Sequence, residues 1–180
     1  AGFPVFASTL CLLEGGVAVF GAVYDPTRDE LFYAHRGHGA WLNQQRLDLS
    51  GHREQPLKNT LAGVDFKRLP AALAAGLATN PPFGSQRSIG SIALDWCWLA
   101  AGRIQVYVHG KQKLWDYAAA QLILFEAGGF SATLCGSVDK KEPILDFQPR
   151  SAVAATSLAL LEQWQQALVE CSQRSQQTKS

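Results

Sequence analysis

Residues 115–129 read WDYAAAQLILFEAGG and form the stretch of sequence that decides the fold. They predict a helix from Trp115 to about Glu126, because Asp116 can cap its start and alanines favour its interior. The pair Gly128-Gly129 then stops it. Since this helix is apolar on nearly every side, we expect it to be buried.

The segments on either side of this helix predict a mixed second half of the chain. Gly90 and Ser91 precede the apolar run 92–101, which predicts a buried helix with Ser91 as its N-cap. Gly102 follows the end of that run, as is common after helices. The remaining predicted elements are a strand at 104–108, strands at 130–134 and 151–156, and an amphipathic helix at 157–171.

The first part of the chain predicts an antiparallel β-meander. Two β-rich runs, 3–13 and 17–24, are separated by Gly15-Gly16, which suits a hairpin turn. A third strand is predicted at 31–35, with turns on both sides of it. Farther along, the sequence predicts a strand at 60–64 and a helix at 70–78.

The composition excludes several classes of protein. The 180 residues are 47% hydrophobic and 17% charged, which is enough apolar material for one core and argues against disorder. The net charge of +1 leaves no excess field to hold a nucleic acid polymer or an anionic membrane surface. No apolar run approaches the roughly 20 residues of a membrane-spanning helix.

The organisation of the chain indicates one domain in a reducing compartment. We expect a single domain over residues 1–171 and a polar tail over 172–180, since no linker divides the chain. The start of the sequence lacks a basic segment followed by an apolar run, so it does not predict a signal peptide. The cysteines are widely scattered, which is typical of reduced thiols in a cytoplasmic protein: Cys11, Cys97, Cys135 and Cys171.

Asp116 is the first candidate for chemistry, because the sequence contains no Gly-x-Ser-x-Gly elbow, Walker loop or dinucleotide fingerprint. A carboxylate at the start of a buried helix can point an oxygen at a cation beyond the helix end. Mg²⁺ takes six oxygens, usually from one or two carboxylates with waters and substrate phosphate. Asp116 would therefore need acidic partners from elsewhere, and taken alone it is better explained as a helix cap than as a ligand.

Two further candidates flank that helix. Gly90 and Ser91 form a turn into a helix N-terminus, whose free N–H groups suit a phosphate or a sugar hydroxyl, although a plain Ser cap is the simpler interpretation. His109, with Lys111 and Lys113, is predicted to lie in a loop that can reach into a site, although a lone loop histidine is usually just solvated.

Seven blocks of this chain resemble, in order and spacing, the inositol monophosphatase family of metal-dependent, lithium-sensitive sugar phosphatases. The blocks are AVFGAVYDP (18–26), DELF (29–32), GHGAWLN (37–43), RSIGSIALD (87–95), LAAGR (99–103), WDYAA (115–119) and EAGG (126–129). The resemblance covers residues 2 to about 136 and corresponds to the C-terminal two-thirds of a family member. It implies a layered α/β/α/β/α sandwich of the α+β type from which the N-terminal part is missing.

The resemblance also implies a function, Mg²⁺-dependent hydrolysis of a small phosphate monoester. Asp116 matches the family's C-terminal metal-binding Asp, and Gly90 and Ser91 match its substrate-contacting pair. His109 stands where enzymes acting on inositol phosphate carry an inositol-contacting Glu, which argues against inositol as substrate. The resemblance assigns no catalytic base or nucleophile to this chain, and it leaves a homodimer open.

One departure from the family limits what this chain is expected to do alone. Family members carry a Glu-Glu pair and an Asp-Pro-x-Asp-Gly-Thr block upstream, which supply most metal ligands, and neither is present here. We therefore expect poor Mg²⁺ binding and no turnover by these residues alone. Two alternatives remain open: a phosphatase of the same superfamily acting on 3′-nucleotide bisphosphates or sugar bisphosphates, and a non-catalytic relic or partner-binding subunit.

Overall fold

The first sheet of the computed structural model is the antiparallel meander that the sequence predicts. The structure describes residues 2, 4–51, 55–139 and 143–177. Five strands pair in chain order, each antiparallel to the next. They are β1 (Ser8–Glu14), β2 (Val17–Asp25), β3 (Glu30–His35), β4 (Gly39–Leu42) and β5 (Gln45–Leu47). The sequence predicted only turns where β4 and β5 form, and Phe3, in the first predicted strand, lies outside the described residues.

The second sheet is mixed, with the strand order β7-β6-β8-β10-β9. β6 runs parallel to β7 and β8, whereas β10 pairs antiparallel with β8 and β9. The strands are β6 (Leu61–Val64), β7 (Ser85–Arg87), β8 (Val106–Gln112), β9 (Phe130–Ala132) and β10 (Arg150–Ala155). The three-residue β7 was not predicted, and β8 is displaced toward the C-terminus relative to the predicted strand 104–108.

Four α-helices, all near their predicted positions, and two short 3-10 helices, Leu57–Asn59 and Phe66–Arg68, complete the described chain. The α-helices are α1 (Ala71–Thr79), α2 (Ile92–Ala100), α3 (Leu114–Glu126) and α4 (Leu158–Gln177). Ser91 is the N-cap of α2 as predicted, but its side chain makes no capping hydrogen bond. α4 continues six residues beyond the predicted end at Cys171. The division into a domain over 1–171 and a tail over 172–180 remains a prediction.

These elements stack as alternating layers around two apolar cores. The first core lies between the first sheet and one face of the second, and it contains α2 and α3. The second core lies on the opposite face of the second sheet, under α1 and α4. Side chains of β8 and β10 alternate between the cores: Tyr107, Ala152 and Ala154 enter the first, and Val106, Val108, Val153 and Ala155 enter the second. The order sheet, helices, sheet, helices accounts for four layers of the expected five-layer sandwich.

Candidate functional site

A cleft of about 450 Å³ opens where the carboxyl ends of β6 and β8 meet the N-terminal ends of α2 and α3. This position follows from the topology, because parallel strands end at the same edge of a sheet and leave a crevice there. All four residues singled out from the sequence line it: Gly90, Ser91, His109 and Asp116. The sequence thus predicted residues that the fold brings together, whereas their chemical roles remain predictions.

Asp116 lies in the first turn of α3 and faces the cleft. Its Oδ2 accepts a hydrogen bond of 3.1 Å from the backbone N–H of Lys113, the residue that precedes the helix. This bond confirms the predicted capping role and fixes the side chain at the helix mouth. Lys113 also places its ammonium group 4.9 Å from the ring centre of Trp115. The carboxylate is therefore held in place and still lines the cleft.

Gly90 and Ser91 turn the chain into α2. Gly90 has a φ of +93°, and Ser91 is extended before the helix begins. Because the hydroxyl of Ser91 makes no capping bond, the first N–H groups of α2 receive no partner from it. Ile92 and Ser88 line the same wall of the cleft. A helix N-terminus with available N–H groups favours an anion.

His109 lies on β8, and its predicted place in a loop is wrong. The strand extends to Gln112 because Gly110 lets the turn at residues 66–68 pack directly on it; a Cβ at Gly110 would lie 1.8 Å from the carbonyl oxygen of Arg68. The glycine and the lysines beside His109 read as loop residues in the sequence. In the fold they form the edge of the cleft.

Both ring nitrogens of His109 are engaged, and its side chain is buried. Nδ1 accepts a hydrogen bond of 3.1 Å from the backbone N–H of Lys111, so the ring proton resides on Nε2. Nε2 lies 3.2 Å from Oδ2 of Asp65. Burial lowers the pKa of His109, and the charge of Asp65 opposes this shift only in part. The ring is thus neutral at pH 7. Its Nε2 contacts Asp65 and its Nδ1 contacts the backbone of Lys111, so neither nitrogen is available to a ligand.

Asp65 is a cleft residue that the sequence analysis missed. It follows β6 directly and caps a short 3-10 turn, Phe66–Arg68, with its Oδ1 accepting from the N–H of Lys67 at 3.1 Å. Its Oδ2 faces His109 across the cleft wall. The available signal was its position immediately after a predicted strand, where α/β sheets present functional side chains.

Asp95 is a second missed residue, located one turn into α2. Its side chain is buried, and its Oδ1 has no hydrogen-bond partner among the described residues. Burial raises the pKa of Asp95 to about 8, and the charge of Asp65 adds to the shift. At pH 7 the group is therefore mostly the neutral acid. An Asp inside an otherwise apolar run was the signal in the sequence.

The side chains around the cleft carry a slight excess of positive charge at pH 7, because Asp95 is mostly the neutral acid. Three carboxyl groups, Asp65, Asp95 and Asp116, face three basic side chains: Arg68, Lys111 and Lys113. In the described parts of the chain, no group of three His, Cys, Asp or Glu side chains is placed to hold a metal ion. Asp116 can donate one oxygen to a Mg²⁺ ion, but the described residues do not form a magnesium cage.

A comparison with protein families gives one match over most of the chain. The model of the inositol monophosphatase family matches residues 1–177.

No helix of the described residues is both long and apolar enough to cross a bilayer.

Curated relatives carry two kinds of name. The chain is 40% identical over 131 residues to Nus factor SuhB of Haemophilus influenzae, covering 71% of this chain and 49% of that protein. It is 35% identical over 173 residues to inositol monophosphatase 1 of Solanum lycopersicum, covering 93% and 60%. Nus factor SuhB of Pasteurella multocida is 38% identical, again over 71% of this chain and 49% of that protein. The chain thus spans about half the length of the curated relatives it matches.

Solved structures share the fold. The extragenic suppressor protein suhB from Bartonella henselae superposes with a TM-score of 0.75 at 28% identity, over 92% of this chain and 64% of that one. The inositol monophosphatase from Anabaena gives a TM-score of 0.74 at 27% identity, over 93% and 65%. Both similarities cover the layered architecture described above.

Proposed function

The chain belongs to the inositol monophosphatase family, and from that premise we propose that its cleft serves Mg²⁺-dependent hydrolysis of a small phosphate monoester. The family is metal-dependent. The observation that carries the proposal is the convergence of Gly90, Ser91, His109 and Asp116 on one cleft, although they come from three separate segments of the chain. Gly90, Ser91 and Asp116 match the family's substrate and metal residues, and His109 occupies the position of its inositol-contacting Glu.

Each side of the cleft suits a different part of such a substrate. The N-terminus of α2, with Ser91 at its cap, suits the phosphate oxygens. Asp116 at the mouth of α3 would be one ligand of Mg²⁺, which when bound supplies charge stabilisation to the transferring phosphoryl group. The resemblance assigns no water-activating base to this chain, so we infer that the contribution of its described residues is to bind and orient the substrate.

The far wall of the cleft disfavours inositol phosphate as the substrate. In place of the family's inositol-contacting Glu stands a neutral His109 whose ring nitrogens are both occupied. The basic side chains on the rim, Arg68, Lys111 and Lys113, suit a second anionic group. A sugar bisphosphate or a 3′-nucleotide bisphosphate is therefore the alternative substrate class within the same superfamily.

We expect the 180-residue chain to be inactive by itself, because no three His, Cys, Asp or Glu side chains among the described residues are grouped to hold a metal ion. The test measures Mg²⁺-dependent phosphate release by this chain and by the product of its complete reading frame. Release by the longer product alone, lost by at least about 100-fold in its Asp116→Asn variant, supports the proposal. The matched control is Glu162→Gln, which removes an exposed carboxylate on α4. Unchanged release by Asp116→Asn would remove this residue from the site.

A non-catalytic, partner-binding role is the second candidate. It is favoured by the relatives of this chain that are named Nus factor SuhB. It predicts that the product of the complete reading frame, correctly folded and supplied with Mg²⁺, releases no phosphate from mono- or bisphosphates. Phosphate release that depends on Asp116 would rule it out as the sole function.

A further inference from the structure

The turn between β3 and β4 brings two imidazoles and a carbonyl oxygen to one point. Nδ1 of His35 lies 2.9 Å from Nδ1 of His38. The carbonyl oxygen of Arg36 lies 3.1 Å from the first nitrogen and 2.9 Å from the second. The two rings meet edge to face, with centroids 4.5 Å apart. Three electron-pair donors therefore form a nearly equilateral triangle.

No protonation state of the two rings turns all three contacts into hydrogen bonds. The oxygen of Arg36 only accepts, so bonding it to both rings requires a proton on each Nδ1. Those two protons would then oppose each other between His35 and His38. With a proton on one Nδ1 alone, the other nitrogen presents its lone pair to the carbonyl oxygen. A cation above the plane of the triangle, equally distant from its three corners, satisfies all three donors at once.

The edge lengths of the triangle select the geometry of that cation. Ligand atoms held about 2.1 Å from an octahedral ion lie about 3.0 Å apart, whereas around a tetrahedral ion they lie about 3.4 Å apart. The observed edges of 2.9, 2.9 and 3.1 Å match one face of an octahedron. Imidazole nitrogen favours a late first-row transition ion over Mg²⁺.

We propose that His35, His38 and the carbonyl oxygen of Arg36 bind a divalent transition-metal ion of octahedral preference, with Ni²⁺ or Co²⁺ as the fitting class. Both imidazoles are exposed, so an ion can enter and water can fill the opposite face. In the described chain no three His, Cys, Asp or Glu side chains form such a group, and here the third donor is a backbone carbonyl.

The turn is held in its shape before any ion arrives. The carboxylate of Glu126, at the end of α3, accepts from the N–H of Gly37 at 2.9 Å and from that of Gly39 at 2.8 Å. The N–H of His38 donates to the carbonyl of His35 at 2.9 Å, and Gly37 has a φ of +76°, which favours glycine. A rigid turn loses little conformational entropy on binding.

The surrounding charges neither attract nor exclude a cation strongly. His38 lines a second cleft, of about 600 Å³, together with two arginines and two carboxylates: Arg36, Arg46, Asp48 and Glu126. Their formal charges cancel. The site is separate from Asp116. Glu126, which holds the turn, and Asp116 lie at opposite ends of α3, ten residues or about 15 Å apart along the helix.

Calorimetric titration of the untagged 180-residue chain with NiCl₂ at pH 7.5 tests the proposal. We expect saturable binding of a single ion, weakened at least about tenfold by His35→Gln and by His38→Gln. His52→Gln removes a histidine that is not part of the turn and should leave the affinity unchanged. MgCl₂ should give no comparable heat. Thermal unfolding of each variant verifies that it is folded.

Two results would overturn the proposal. One is the absence of saturable Ni²⁺ binding by the folded chain. The other is equal affinity in wild type, His35→Gln and His38→Gln. A second measurement is independent of affinity: imidazole ¹⁵N spectra should show that Co²⁺ perturbs the Nδ1 resonances of His35 and His38 before their Nε2 resonances. None of these readouts depends on phosphatase activity.

Discussion

Asp95 places a carboxyl group in an apolar helix with one oxygen lacking a hydrogen-bond partner among the described residues. The fold therefore stabilises its protonated form, and burial raises the pKa of Asp95 to about 8. In the unfolded chain the same group ionises near its ordinary value of 3.8. The unfolding free energy that protonated Asp95 contributes is fully present below pH 3.8, the pKa of the unfolded chain. It is lost as the pH rises from there through the pKa of about 8 in the folded protein.

Asp95→Asn should remove that pH dependence. Between pH 5 and pH 8 the wild type should lose about 2–4 kcal/mol of unfolding free energy that the Asn variant keeps. Urea unfolding of both proteins at the two pH values measures the difference. Glu162→Gln, which changes an exposed carboxylate, is the control and should track the wild type. A constant offset between Asp95→Asn and wild type at both pH values would contradict the prediction.

His109 and Asp65 form a pair in which the negative charge of the carboxylate stabilises the protonated form of the imidazole. Because the charge of Asp65 raises the pKa of His109 against the effect of burial, Asp65→Asn should lower that pKa further. Titration of the imidazole ¹⁵N signals of both proteins gives the two values. In wild type at pH 7 the spectra should also show the Nε2–H tautomer. A higher pKa in Asp65→Asn would show that the pair does not form.

Among the elements, β8 is the one that connects the cleft to the rest of the molecule. Its strand carries His109 on the edge of the cleft, while its backbone carbonyl at Tyr107 accepts a hydrogen bond of 3.0 Å from the indole N–H of Trp164 on α4. Trp164 is fully buried in the second core. The position of His109 therefore depends on packing on the far side of the sheet.

Trp164→Ala should lower the free energy of unfolding by about 3–5 kcal/mol, because it opens a large cavity and leaves the carbonyl of Tyr107 without this donor. Chemical denaturation measures the loss. Trp164→Phe should cost less, since it keeps most of the apolar volume. Gln163→Ala, on the exposed side of the same helix, should stay within about 0.5 kcal/mol of wild type. Equal losses in Trp164→Ala and Gln163→Ala would contradict this account of α4.

The sequence predicted elements best where a local pattern was strong. The apolar, alanine-rich run of α3 was predicted close to its observed bounds, and the hairpin turn at Gly15-Gly16 was predicted correctly, although β1 begins at Ser8 and not at residue 3. The strands β4, β5 and β7 have four residues or fewer, and their pairing partners, not their own residues, make them strands. His109 was misplaced for the same reason, because Gly110 looks like a loop residue until Arg68 packs on it.

For the molecule as a whole, the site could be predicted only where a motif carried it. Gly90, Ser91 and Asp116 belong to motifs that are contiguous in the chain. Asp65 acquires its place through the parallel pairing of β6 with β8, and Asp95 acquires its raised pKa through burial. Each residue had a local signal, Asp65 as the residue after a predicted strand and Asp95 as an acid in an apolar run, but neither the strand pairing nor the burial follows from periodicity and spacing.

The outer strand of the first sheet exposes large apolar side chains. Leu10 and Leu12 of β1 are 64% and 59% exposed, and Phe6 just before it is 57% exposed. Such a patch promotes association. We expect the 180-residue chain to self-associate with rising concentration in size-exclusion chromatography with light scattering, and the double variant Leu10→Ser, Leu12→Ser to do so less.

Val169→Ser is the control for this prediction, because Val169 is comparably exposed but lies on α4, at the opposite end of the layers. If the control reduces association as much as the β1 double variant does, the patch on β1 is not responsible. A homodimer, expected as one outcome from the sequence, would appear as a defined mass of twice the monomer.

The parallel pairing of β6 with β8 has a consequence for the time course of folding. Ala62 pairs with Val106, so this contact closes a loop of more than forty residues, and such non-local pairing slows folding. During synthesis on a ribosome, the meander can form as soon as its own hairpins emerge. The cleft has to wait until β8 and the start of α3 have left the exit tunnel, so ligand-binding competence should appear only after the meander has formed.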